Sequence, residues 1–289
     1  MTTHVAVPYR HGVLSISAAA VAWGVGGAVA ALLMNTAGLG PVAVCAWRFA
    51  VAAGCLVLLP ARREPGGRWA AAVLTGIGLT VGQCAYFASV RYAGLGLGTL
   101  VTIGAGPVFT SLGAHLLLGE RLTRRALAAN GLALGGLVLL VAAPAAGPRP
   151  LLGTGLALLA GAAQSGLTLW ARGGGTARAS AGAFGTGLAC LVPLALVLEG
   201  GLLPATGQPA PTAAALLFLG TVPTLLAYRW YFTGLTTVPG ATAAVLVLLE
   251  PAAAAVLGIA CFGEPLTWTV AAGAALLLTA VTVLARRRE

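Results

Sequence analysis

Long apolar stretches separated by short polar breaks run the whole length of the chain. Ten such runs can be traced, at residues 12–34, 41–60, 69–90, 94–118, 125–143, 151–171, 180–198, 212–233, 240–262 and 267–285. Each holds about 19–25 residues, enough to cross the hydrocarbon core of a bilayer as a helix. The runs are continuous rather than alternating, which argues against strands of a membrane barrel. The pattern predicts an all-α membrane protein of ten transmembrane helices with little chain outside the lipid.

Composition agrees. Hydrophobic residues make up 59% of the 289 residues and charged ones only 8%, against about 25% charged in soluble domains. The formal net charge of +10 raises the question of nucleic acid. The arginines answer it, because they fall in short clusters between apolar runs rather than along a groove. Placing the N-terminus inside assigns twelve arginines to cytoplasmic segments: Arg10, Arg62, Arg63, Arg68, Arg121, Arg124, Arg125, Arg172, Arg178, Arg286, Arg287 and Arg288. Only Arg91 and Arg149 fall on the outer side, and Arg48 and Arg229 lie within runs. This asymmetry predicts a multi-pass protein of the cytoplasmic (inner) membrane with both termini cytoplasmic.

The chain has no lysine and no aspartate. It therefore carries neither a Walker A phosphate clamp nor an aspartyl-phosphate nucleophile. Cys45, Cys55, Cys84, Cys190 and Cys261 lie inside apolar runs at no metal or disulfide spacing, so they read as small buried hydrophobes. No cleavage site follows a short apolar stretch near Met1, so no removable leader is expected. Neither a cofactor nor a metal is expected.

The two halves repeat each other. Gly119-Glu120-Arg121-Leu122-Thr123 returns as Gly263-Glu264-Pro265-Leu266-Thr267 at an offset of 144, and Pro107 returns as Pro251 at the same offset. Tyr86-Phe87 returns as Tyr231-Phe232 at 145. The expected units are residues 1–146 and 147–289. With five runs each, an odd number, they must enter the membrane in opposite senses. Inverted repeats are an architecture of secondary transporters, with the site near midplane at the repeat interface. Pro107 and Pro251 each remove a mid-membrane hydrogen bond, giving either a tolerated kink or one that shapes a cavity. Thr123 and Thr267 fit as N-caps. Gly131 and Gly135 form a GxxxG pair suited to close packing.

Trp23-Gly24, Arg48-Phe49, the two Gly-Glu-x-Leu-Thr turns and Glu250-Pro251 together resemble the drug/metabolite transporter superfamily, specifically its EamA-type ten-span exporters. The resemblance covers the whole chain. It implies a pseudo-symmetric five-plus-five bundle, with spans 5 and 10 to one side and a central cavity lined by spans 1–4 and 6–9. It also implies movement of small organic solutes, often amino acids or related metabolites, commonly outward. The chain departs from the pattern in span 6, where Gln164-Ser165 replaces Trp-Gly, and in span 8, which carries Arg229.

The polar residues inside the runs are the candidate site. Glu250 is the deepest charge, about eleven residues from either end of its run, where an ionisable group faces protein or water. It serves either as a structural hydrogen-bonding group beside Pro251 or as a substrate or proton site. Arg48 and Arg229 either bind a solute anion or are held by ion pairing and snorkelling. Gln83, Tyr86 and Phe87 share one helix face, as do Gln164 and Thr168. Trp23, mid-span, escapes the interfacial reading of membrane aromatics; Trp170, Tyr228 and Tyr231 do not. Thr99, Thr102, Gly106 and Thr110 form a stripe that is either polar lining or close packing. His115 has no second histidine nearby, so metal binding is not expected.

The leading reading is a secondary transporter for a small zwitterionic or otherwise polar solute, with protons as the candidate coupling ion. Arg48 or Arg229 would take a carboxylate. Efflux of an organic cation on Glu250 and the aromatics is the alternative. A membrane-embedded enzyme would need Ser165 or another serine beside His115 with oxyanion donors. A channel would need a ring of filter residues, which the chain does not supply.

Overall fold

A computed structural model describes residues 9–58, 69–119, 124–142, 147–172, 181–205, 208–234, 237–238, 246–247 and 249–285. Every regular element among them is helical. In chain order they are α1 (Tyr9–Thr36), α2 (Pro41–Leu58), α3 (Trp69–Ala93), α4 (Leu95–Leu118), α5 (Arg124–Val141), α6 (Pro150–Arg172), α7 (Ala181–Glu199) and α8 (Pro209–Gly220). A π-helical turn (Thr221–Leu226) leads into α9 (Ala227–Gly234), followed by α10 (Leu249–Phe262) and α11 (Trp268–Ala285). Seven segments are long and apolar enough to cross a membrane, and Ala126–Leu140, Leu249–Phe262 and Trp268–Ala280 are shorter apolar helices. Arg62, Arg63, Arg68, Arg121, Arg178, Arg286, Arg287, Arg288, Thr123 and the start of the ninth run at 240–245 lie outside the described residues.

Large side chains such as Val57, Leu116, Leu117, Val138, Leu151 and Val197 point outward, while much of the core is alanine. That inside-out distribution suits a lipid solvent, which repays close packing of small residues rather than burial of large ones. One core joins α1, α2, α7 and α8 around Phe49 and Phe184, whose rings meet edge-on at 5.2 Å. A second joins α4, α5, α6 and α11. In it α5 and α11 run antiparallel: a Cβ on Gly136 would stand 2.8 Å from the Gly273 carbonyl, and Gly135 faces Leu276. This corrects the GxxxG expectation, since Gly131 faces open space. Two cysteines also differ from expectation. Cys45 is buried, but Cys190 and Cys261 are exposed, a position a thiol tolerates where the surroundings are apolar.

One end of the bundle is knitted together, where α1, α3, α7 and α10 finish and α2, α4, α6 and α8 begin. The Glu199 carboxylate accepts from the N–H groups of Val42 (2.9 Å) and Ala43 (2.8 Å) at the start of α2. Glu264 accepts from the N–H groups of Leu95 and Gly96 at the start of α4. Both carboxylates satisfy donors that a helix start leaves unpaired, where the macrodipole favours a negative charge. Burial pushes the Glu264 carboxyl up from its ordinary range, with the two N–H donors pulling it down. Trp47 Nε1 donates to the Leu202 carbonyl (2.7 Å), Ala205 N to the Ala37 carbonyl (3.1 Å) and Arg149 N to the Tyr92 carbonyl (3.0 Å). Gly119 and Gly263, which open the two repeated turns, adopt left-handed backbone at φ 68° and 65°, the usual helix C-terminal device of glycine. Thr267 does cap α11, accepting the Val270 N–H at 3.4 Å.

Candidate functional site

Beyond the knitted end, near the middle of the bundle, lies a cavity of about 470 Å³. Helix α1 approaches its neighbours through Trp23-Gly24-Val25-Gly26-Gly27. A Cβ on Gly24 would stand 2.8 Å from the Glu250 carbonyl, and one on Gly27 would stand 2.7 Å from the Tyr86 hydroxyl. Small residues here let α1 seat between α3 and α10, and they leave Trp23 as the large group projecting from this stretch into the cavity. Its indole N–H donates to the Pro223 carbonyl at 2.9 Å. Its ring packs against Tyr228 and Tyr231 at centroid distances of 5.4 and 5.5 Å, so three aromatics form one wall.

Arg48, on α2, is only 7% exposed yet reaches the cavity. Nε donates to Thr224 Oγ1 and Nη1 to Gln83 Oε1, each at 2.5 Å, and its Cζ lies 5.5 Å from the Phe87 ring centre. No carboxylate pairs with it among the described residues, so polar side chains and an aromatic face hold the charge inside the bundle. Tyr86 shares its hydroxyl hydrogen bond with Thr99 (2.9 Å). Glu250 also lines the cavity, and among the described residues its carboxylate has no hydrogen bond or ion pair within the protein.

The opposite side is the α4–α6 seam. Thr102, Gly106, Gly161, Gln164 and Thr168 line it, and nothing lies within 4 Å of where a Gly106 Cβ would be. That glycine therefore opens space rather than closing a helix contact. Ser165 bonds to the Gly106 carbonyl (3.2 Å) and Thr110 (3.1 Å). Thr168 bonds to its own helix at the Gln164 carbonyl, 3.0 Å away. The lining continues to Thr168 and Tyr231, about one turn from the ends of α6 and α9. Gln164 and Thr168 are exposed, so among the described residues the cavity opens toward the end where α1 begins.

The structure thus brings Trp23, Arg48, Gln83, Tyr86, Gln164, Thr168 and Glu250 to one cavity. Trp170 and Arg229 are not among its lining residues, and Arg229 is exposed on α9. Pro107 lies within α4, and Pro251 is buried as the third residue of α10. Pro223 and Thr224 in the π-helical turn and Glu199 at the knitted end escaped the sequence reading, and Tyr228 and Tyr231, read there as interfacial aromatics, instead line the cavity. Thr-Val-Pro-Thr in mid-run was the available signal, because proline there denies the backbone a donor. No group of three His, Cys, Asp or Glu suited to a metal occurs among the described residues.

The fold and site define a class of helical membrane protein: apolar helices long enough to span a bilayer, gathered around a polar cavity. The chain belongs to the EamA-like transporter family, whose pattern it matches twice, over residues 10–142 and 151–286. It is 40% identical to the uncharacterized protein PA1977 of Pseudomonas aeruginosa over 77% of this chain and 78% of that one. It is 29% identical to the uncharacterized transporter YwfM of Bacillus subtilis over 94% and 92%. A solved crystal structure shares the fold at a TM-score of 0.59 and 21% identity, covering 95% of this chain and 96% of that one.

Proposed function

We propose that this chain is a secondary transporter that exports amino acids or related zwitterionic metabolites across the cytoplasmic membrane by alternating access. The observation that carries the reading is one cavity walled by a guanidinium (Arg48), a carboxylate (Glu250) and large aromatics. A zwitterion needs charges of both signs and an apolar surface for its side chain. Gln83, Tyr86, Gln164 and Thr168 add hydrogen-bonding capacity, and Glu250 doubles as the group through which protons couple to solute. Organic-cation efflux is the second reading. It is favoured by the three-aromatic wall near Glu250, since aromatic faces attract cations.

Alternating access in this reading uses two inverted five-helix repeats. Three pairs of equivalent helices support the inversion. The start of α2 meets the end of α7, the start of α4 meets the turn after α10, and α5 runs antiparallel to α11. Pro107 and Pro251 would shape the mid-membrane bend in each half. The arginine distribution supports an orientation with the open end in the cytoplasm and the knitted end outside. A single cysteine at Pro204, in a cysteine-free background, should then be labelled by an impermeant reagent added from outside. Labelling from the cytoplasmic side alone would reverse the orientation.

The functional test is solute flux in proteoliposomes, with and without a pH gradient, for wild type and Glu250→Gln. A folded Glu250→Gln protein should lose the response to the gradient while wild type keeps it. Equal pH response in both would remove Glu250 from coupling.

A further inference from the structure

The π-helical turn between α8 and α9 sits beside the cavity, and its residues bond to both Trp23 and Arg48. Pro223 has no N–H to give the Leu219 carbonyl four residues back. The helix widens there by the extra residue of a π turn, and the Thr224 hydroxyl donates to that same carbonyl at 2.8 Å. A hydroxyl has one proton. With that proton committed to Leu219, Thr224 Oγ1 offers only lone pairs to its other neighbour, and that neighbour is the Arg48 Nε–H at 2.5 Å.

We infer that Thr224 is a positioning residue for the solute's carboxylate: it holds Arg48 by Nε so that the Nη1–Nη2 end of the guanidinium faces the cavity. The proposal rests on the reading that Arg48 receives a carboxylate. The geometry leaves three N–H groups, one on Nη1 and two on Nη2, after Thr224 and Gln83 have taken theirs. These two nitrogens form a fork that matches the two oxygens of a carboxylate. Gln83 works with Thr224. Arginine can only donate, so Gln83 must present its oxygen, which leaves its NH₂ as a further donor for the bound anion. Arg48 and Gln83 belong to the first family unit and Thr224 to the second. Carboxylate recognition therefore depends on the two halves being in contact at this point. Thr212, at 7% exposure, and Thr221 also lie on this span, but Thr221 bonds only within its own helix.

The test compares binding of phenylalanine with that of phenylalaninamide, which lacks the carboxylate, followed by tryptophan emission of the purified protein. Thr224→Val keeps the side-chain volume and removes the acceptor, whereas Thr224→Ser keeps it. Wild type should prefer the acid. Thr224→Val should lose roughly ten-fold in affinity for the acid and little for the amide, and Thr224→Ser should restore the preference. A structural defect alone would weaken both ligands equally, and that outcome overturns the proposal. Wild-type preference retained in Thr224→Val overturns it too, provided Arg48→Met has lost it. If Arg48→Met also keeps the preference, or wild type shows none, the underlying assignment of Arg48 fails and the proposal falls with it.

Discussion

Replacing Arg48 with methionine should reduce transport of a carboxylate-bearing solute by roughly 10–100-fold while the protein still folds. Methionine fills the space of the aliphatic stem and keeps contact with Phe87, so packing is largely retained. What disappears is the cation on the cavity wall, whose hydrogen bonds to a charged ligand are each worth about 1.5–3 kcal/mol. Thr224 and Gln83 lose their donor, but Gln83 lines the cavity, where water or solute can satisfy it, and buried Thr224 keeps its own bond to the Leu219 carbonyl. Arg48→Lys keeps the charge without the planar fork. It cannot bond Thr224 and Gln83 and still offer two parallel N–H groups, so it should recover only part of the loss. Initial flux rates in proteoliposomes, normalised to folded protein, give the comparison. Wild-type flux in Arg48→Met would move the anion site elsewhere.

The second large effect is on stability. Glu264→Ala should destabilise the bundle by about 3 kcal/mol, because the Leu95 and Gly96 N–H groups lose a charge-assisted acceptor. The change also uncouples the turn after α10 from the start of α4, so the knitted end should become more accessible. Glu264→Gln keeps one acceptor oxygen and should cost about half as much. Denaturant unfolding in detergent measures both. An unchanged midpoint in Glu264→Ala would show that the carboxylate does not hold these helices.

These two predictions fall on different sides of what the sequence made legible. Arg48 stands out because a charge in an apolar run is conspicuous, and helical spacing alone groups Gln83 with Tyr86 and Phe87. Run limits also carried over well: 41–60 corresponds to Pro41–Leu58, and 12–34 to Tyr9–Thr36. The repeated Gly-Glu turn was legible as a turn. Its second role was not, since Glu264 meets Leu95 and Gly96 across a separation of 169 and 168 residues, and Glu199 meets Val42 across 157. Periodicity within one helix carries no information about such partners. The π-helical turn was hidden for a different reason. Hydropathy treats 212–233 as one apolar run, whereas the widening at Pro223 is a matter of backbone donors. Gly131 and Gly135 satisfied a spacing rule, but the partner's position selected Gly136, one residue further round the helix.

Transport in this protein should be driven by gradients alone, with charges of both signs in the cavity selecting the solute. Purified protein in sealed vesicles, loaded with unlabelled amino acid and diluted into a trace of the labelled one, measures this directly. Counterflow without ATP, blocked by Arg48→Met and not supported by the amino-acid amide, is expected. Accumulation that requires ATP, or counterflow equally fast for acid and amide, would contradict it.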